Sequence, residues 1–284
     1  MTIEHDIQQR EALLKGVVDL HIHTMPDVRQ RRLSDIELAQ EAARVGARAV
    51  VIKSHLVPTA GRAYIAEKVV PGVRVFGGIT LNPPVGGLNP AAVETAIRMG
   101  AKIVWLPTAW SSHERKLAGK NDGVESVING KVVPALVSIL ELIARHDVAL
   151  ATGHLSPAEI LTVVDKAKTI GVRKIIVNHP EWWSINLPIS DQKRLVPYGV
   201  FFERCYATRQ PGKDYEKNFA KNLQAIESVG CETTILATDG GQTENPVWSE
   251  AYSEYIAYLL SAGISTEIMD KMTKTYPAQM LGLD

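Results

Sequence analysis

The sequence predicts an α/β protein, a (β/α)8 TIM barrel with a long lid-like loop after its fourth strand. Three observations predict it. Eight short, nearly continuous apolar runs punctuate the chain: VVDLHIH (17–23), ARAVVIKSH (47–55), VRVFGGIT (73–80), AKIVWLPT (101–108), VALATGH (148–154), KIIVNHP (174–180), GVFFERC (199–205) and TTILATDG (233–240). Strands covered on both faces read this way, without polar alternation. Between most of the runs lie amphipathic stretches with helix start and stop signals. Most run starts are 25 to 34 residues apart, about one βα unit each. Strict β–α alternation implies a parallel sheet with right-handed crossovers. Eight such units in roughly 250 residues fit a barrel. A doubly wound sheet with an extra domain is the structural alternative. It calls for a nucleotide fingerprint, and no GxGxxG follows any run.

Taken in order, residues 1–16 read as a leading helix. SDIELAQEAARVG opens on Ser34 as a cap and ends on Gly46. NPAAVETAIRMG has Asn89 as cap, Pro90 in the first turn and Gly100 at the end. KVVPALVSILELIARHD carries apolar residues at helical spacing, and SPAEILTVVDKAKTIG repeats the Ser, Pro and terminal Gly pattern. KDYEKNFAKNLQAIESVG and the stretch 248–263 behave alike, and 265–284 reads as a closing helix. Gly77-Gly78 and Pro83-Pro84 are read as shaping the turn after strand 3. The interval from 101 to 148 holds extra sequence: 109–130 is polar and rich in Gly, Ser and charge, and following strand 4 it falls over the barrel mouth. The whole of 1–284 is read as one domain.

Composition excludes several classes. Apolar residues make up 45% and charged residues 22%, and Lys plus Arg equals Asp plus Glu at 31 each. No basic stripe points to nucleic acid and no polybasic run to a membrane surface. No apolar run approaches the roughly 18 residues of a membrane helix, and the N-terminus has no apolar signal core. The two cysteines, Cys205 and Cys231, form neither a CxxC pair nor a zinc-finger spacing. The expectation is a soluble, cytoplasmic enzyme acting on a small molecule. Barrels of this size often pair, so a homo-oligomer is expected.

Five of the eight histidines fall at strand C-terminal ends: His21, His23, His55, His154 and His179. In a TIM barrel those ends converge on one mouth. His21 and His23 are two apart on one strand, so period-two alternation points both to one face, with Asp19 in phase. Paired imidazoles on one side make a bidentate metal grip. His154 and His179 end strands 5 and 6, and Asp239 ends strand 8, next to strand 1. Mixed nitrogen and oxygen donors suit zinc first, and also manganese, iron or nickel.

With D-x-H-x-H in Asp19-Leu20-His21-Ile22-His23, His154, His179 and Asp239 on strands 1, 5, 6 and 8, and a tail TYPAQMLGLD, the chain resembles the amidohydrolase superfamily. The resemblance spans essentially the whole chain. It implies hydrolysis by a metal-activated water, with Asp239 taking the water's proton and passing it to the leaving group, and His179 touching metal, water or substrate. One departure stands out. Binuclear members bridge their metals with a carboxylated Lys or a Glu at the end of strand 4, whereas strand 4 here ends Trp105-Leu106-Pro107-Thr108. A mononuclear site is preferred. A two-ion site would need a bridge from elsewhere, such as carboxylated Lys53 on strand 2 or Glu203 on strand 7.

Weaker positions have bland readings beside functional ones. Lys53 either serves the site or pairs with Glu203 across the mouth. Asp239 either carries chemistry or caps the following segment. His55 contacts substrate or caps a loop. Alternation turns one of Glu203 and Arg204 inward, and an outward Arg204 needs an ion pair. His113, Trp110 and Arg115 lie in the long loop, closing over substrate or simply solvated. Trp182 and Trp183 make a pocket wall or an interface, and Asp27 and Arg29 are placed to orient the ligands. The leading function is hydrolysis of a C–N or C–O bond, as in a cyclic amide or lactone. The alternatives are metal-dependent non-oxidative decarboxylation and a non-catalytic small-molecule-binding barrel.

Overall fold

A computed structural model describes residues 10–283. All eight apolar runs are strands: β1 Val18–His23, β2 Ala49–Lys53, β3 Arg74–Thr80, β4 Ile103–Trp105, β5 Ala149–Ala151, β6 Ile175–Asn178, β7 Phe201–Cys205 and β8 Thr234–Ala237. They pair in parallel in sequence order. The sheet closes where β8 meets β1 through the single parallel bridge of Ile22 with Gly240. The architecture is the expected (β/α)8 barrel.

Local signals explain most helices. Helix α1 (Asp35–Arg44) starts with a full capping box between Ser34 and Glu37. Helix α2 (Ala60–Val69) escapes periodicity reading because apolar residues lie all round it, with Tyr64, Ile65 and Val69 exposed. Helix α3 (Pro90–Arg98) is capped by Asn89 with Pro90 in its first turn. Helices α4 (Ser112–Leu117) and α5 (Pro134–His146) follow β4. Helix α6 (Pro157–Ile170) repeats the capping box with Ser156 and Glu159, and ends on Gly171 in the left-handed region. Then come α7 (Ile189–Leu195), α8 (Phe219–Val229) and α9 (Trp248–Ser261). The closing segment is α10 (Thr266–Asp270), a π-turn over Lys271–Thr275, and α11 (Tyr276–Leu281).

Four sequence readings need correction or qualification. The stretch from 213 is not one helix: Tyr215–Lys217 pairs antiparallel with Ala207–Arg209, and α8 begins only at Phe219. Gly77 and Gly78 lie inside β3, not in a turn. A Cβ on Gly78 would meet the Ile103 carbonyl at 2.2 Å and the Trp105 indole at 2.4 Å, so the glycine makes room for that ring. The segment 109–130 is not featureless loop, since it holds α4 and the start of a ribbon joining Val127–Ile128 to Lys131–Val132. The leading helix falls largely outside the described residues, where His5 also lies; 10–12 are helical and 13–16 turn into β1.

The barrel interior holds Val18, Leu20, Val51, Phe76, Ile103, Trp105, Ile176 and Ile235, joined by Ala278, Met280 and Leu281 of α11. Tyr276 packs on Phe201, at the start of β7. Helix α11 therefore plugs the end of the barrel opposite the histidines. Two further apolar layers fill the space between strands and helices. Among the described residues, no helix is long and apolar enough to cross a membrane. Both cysteines are free.

Candidate metal centre

Strand β1 is not regular. Its register against β2 runs Asp19 to Val50 and Ile22 to Ile52, so β1 carries one extra residue there. This bulge shifts the side-chain phase. Val18 and Leu20 face the interior, while Ile22 joins the layer beneath the helices. Asp19 also faces outward: its carboxylate accepts from the Trp248 indole (2.9 Å), the Thr238 hydroxyl (2.7 Å) and the backbone N–H groups of Thr238 and His21. Asp19 is thus out of phase with the histidine pair, contrary to simple alternation, and the bulge is what turns His21 back inward.

Burial outweighs those hydrogen bonds and pushes the Asp19 carboxyl up to about 6. Between roughly pH 4 and 6 the folded chain then keeps a proton that the unfolded chain has released, so stability falls as pH rises through that window and levels off above it. The shift corresponds to about 3 kcal/mol. Asp19→Asn is expected to flatten this slope, measured by urea unfolding at several pH values. Parallel slopes for the two proteins would refute the assignment.

At the mouth, His21 Nε2 lies 3.0 Å and His23 Nε2 3.2 Å from Asp239 Oδ1. The three donors lie within 4.8 Å of one another. His21 Nδ1 faces Glu203 Oε2 at 3.0 Å, and the same oxygen accepts from Asn178 Nδ2 at 2.7 Å. A carboxylate behind one ring nitrogen fixes the tautomer and leaves the other lone pair forward. His23 Nδ1 and His179 Nδ1 are buried without a hydrogen-bond partner. Lone pairs converging on one point call for a positive charge between them, and this donor set fits a divalent cation. The electrostatics agree. Burial alone would lower His21, but the Asp239 and Glu203 carboxylates raise it to about 9. Burial would raise Asp239, but the two imidazoles hold it well below the ordinary carboxylate range. Burial keeps His23, His55 and His179 well below the usual histidine range, hence neutral.

Lys53 is buried, with Nζ 2.9 Å from His21 Nε2 and over the Trp105 ring. Among the described residues it makes no ion pair with Glu203, which is engaged by His21 instead. Burial lowers the Lys53 pKa. His55 stacks on His23 (4.7 Å between centroids) and its Nδ1 meets the Thr108 hydroxyl at 2.8 Å. His154 and His179 pack edge to face at 4.9 Å, and His179 lies 5.8 Å from the His21 ring. Neither joins a group of three close donors among the described residues. His113 Nε2 meets the Ser184 carbonyl at 2.6 Å, and Arg115 pairs with Asp122. Trp182 lies beside His179 and His154. Asp27 and Arg29 reach neither His21 nor His23: Asp27 holds Arg31, and Arg29 pairs with Glu244. Glu203 points inward and Arg204 outward, where the buried guanidinium pairs with Glu181.

The sequence reading missed Glu114, whose carboxylate meets His154 Nδ1 from α4. Its signal was a capping pattern, since the Ser111 side chain accepts from the Glu114 N–H. It also missed Asn178 and Arg31. A cavity of about 270 Å³ opens over the cluster, lined by His23, Lys53, His55, His154 and Asp239 below and by Arg31, Trp110, Trp182 and Tyr215 around the rim. His179 and Asp239 hold left-handed φ angles of 23° and 47°, uncommon for residues with a Cβ and concentrated at functional sites.

The model of a family of unknown function, DUF6282, matches residues 16–203. No curated protein matches by sequence. Solved structures of similar fold include an amidohydrolase from Pseudomonas aeruginosa, with a TM-score of 0.65 and 13% identity over 97% of this chain and 99% of that one. The probable dipeptidase PvdM from Pseudomonas aeruginosa aligns at 0.67 and 10% identity over 99% and 98%. N-acetyl-D-glucosamine-6-phosphate deacetylase from Mycobacterium smegmatis aligns at 0.58 and 14% identity over 95% and 76%. At such identities the likeness is one of fold.

Proposed function

From the premise that this chain belongs to the DUF6282 family and has the barrel of amidohydrolases and dipeptidases, we propose that it is a metal-dependent hydrolase of C–N or C–O bonds. One observation carries the reading: His21 and His23 turn their Nε2 atoms on Asp239 Oδ1 at the barrel mouth, with Glu203 behind His21. His21, His23 and Asp239 would hold a single divalent ion, zinc first, with His154 and His179 on the facing wall. Strand β4 supports one ion over two, since its end is filled by the Trp105 indole beside Lys53 and His21.

When bound, such an ion lowers the pKa of a water and polarises the scissile carbonyl. Asp239 accepts the water's proton at Oδ2, the oxygen not turned to the imidazoles, and returns it to the leaving nitrogen or oxygen. Glu203 keeps the Nδ1 proton of His21 in place throughout. Trp110 and Trp182 shield the reacting group from bulk water.

The test is chelation. Purified protein is expected to carry about one divalent ion per chain, and to cleave members of an amide, lactone and ester panel in an assay silenced by chelator and restored by added zinc or manganese. Cleavage that survives complete metal removal would sink the reading. Carbon dioxide released from aromatic acids, with no hydrolysed product, would move the chemistry to decarboxylation.

A further inference from the structure

Two guanidinium groups line the cavity above the metal cluster, and they are not equivalent. Arg29 is satisfied at its tip: Nη2 donates to Glu244 (2.7 Å) and Nη1 to the Tyr215 hydroxyl (3.4 Å). Arg31 is more than nine-tenths buried, and only its Nε is engaged, donating to Asp27 Oδ2 at 2.7 Å. Its two Nη groups have no partner among the described residues. The backbone around it is pinned to the loop after β8, by the bridge of Arg31 with Gln242 and by the Arg32 N–H on the Gly241 carbonyl (2.8 Å). The guanidinium is therefore fixed from behind, with its fork left open in the wall shared by His23 and Asp239.

We propose that Arg31 is a substrate-carboxylate receptor, so that the substrate is an amide or ester that also bears a carboxylate. This rests on the hydrolytic reading of the site. Asp27 balances the guanidinium charge at Nε, and the two Nη groups are left as open donors facing the cavity. Two parallel N–H donors match the two oxygens of a carboxylate. A dianionic phosphate would ask for a second cation beside the fork; Arg29 is already paired, and Lys53 lies at the cavity floor against His21 Nε2 (2.9 Å). Trp110, Trp182 and Tyr215 give the rest of the substrate flat apolar surfaces. The substrate would then lie with its acid on Arg31 and its scissile bond toward Asp239.

The experiment uses the metal-loaded protein and three probes: N-benzoylglycine, its primary amide, and inorganic phosphate, followed by calorimetry. The acid is expected to bind at least ~10-fold more tightly than the amide, and phosphate more weakly than the acid. Arg31→Met is expected to bring acid and amide within about twofold of each other. Failure of the acid to outbind its amide on the unaltered protein, which needs no variant to fold, overturns the proposal. So does an acid preference that survives Arg31→Met, or phosphate binding tighter than the acid. The two readings fail separately. Acid preference without cleavage of any amide or ester removes hydrolysis and leaves the receptor. Equal turnover of charged and neutral amides removes the receptor and leaves hydrolysis.

Discussion

Asp239→Asn is expected to lower kcat/KM on any cleaved substrate by about 10²–10⁴, the range for loss of a positioned general acid–base group. An amide in that place can still lie beside His21 and His23 but cannot take a proton. The variant should retain much of its metal, because the imidazoles and the Glu203 carboxylate behind His21 remain. His21→Ala combined with His23→Ala should instead strip the metal and abolish activity. Elemental analysis beside kinetics separates the two losses. An Asp239→Asn protein with full metal and unaltered turnover would remove Asp239 from the chemistry.

Glu181→Ala is expected to cost about 3–5 kcal/mol of stability, as when one partner of a buried ion pair is removed. Arg204 is fully buried on the outer face of β7, held by Glu181, by Gln192 Oε1 at 3.0 Å and by the Thr234 hydroxyl at 3.4 Å. Without Glu181 its charge faces only neutral groups. For a chain of this size the melting temperature should fall by roughly 2–4 °C per kcal/mol. Arg204→Met added to Glu181→Leu should recover most of the loss, because matched apolar replacements of buried pairs are often near neutral. If the double variant is as unstable as the sum of the single ones, the pair is not coupled. Glu181 also directly precedes Trp182 in the cavity wall and follows His179 by two residues, so the single variant should disturb the site as well as the fold.

Much of this was legible in the sequence because a barrel strand is apolar until it ends. A polar residue there has few places to go but the mouth, which is why His21, His23, His55, His154, His179 and Asp239 group together on sequence grounds. Alternation says that one of Glu203 and Arg204 turns inward, and the contacts with His21 and Glu181 show that it is Glu203. What could not be read depends on contacts between distant segments. A one-residue bulge in β1 has no local signature, so Asp19 was placed in phase with the histidines. Arg31 looked like one of several arginines after β1, and only the pairing of Arg29 with Glu244 shows which guanidinium is left open. Glu114 announced its helix through Ser111, but not that the helix would reach His154. For Lys53 the sequence leaves open a role in the site or a pairing with Glu203 across the mouth; Glu203 is engaged by His21, and Lys53 lies against the other nitrogen of the same ring.

The bulge has a consequence for how the barrel breathes. Where β1 meets β8, a regular ladder gives way to one bridge and to the Asp19 side chain, which takes the Thr238 amide that a backbone carbonyl would otherwise accept. Cooperative opening is cheapest where the fewest ladder bonds must break at once. The seam that joins His21 and His23 to Asp239 is thus the place where amide protons should exchange soonest among the strands. Hydrogen exchange should therefore find the first strand to open running through His21 and His23.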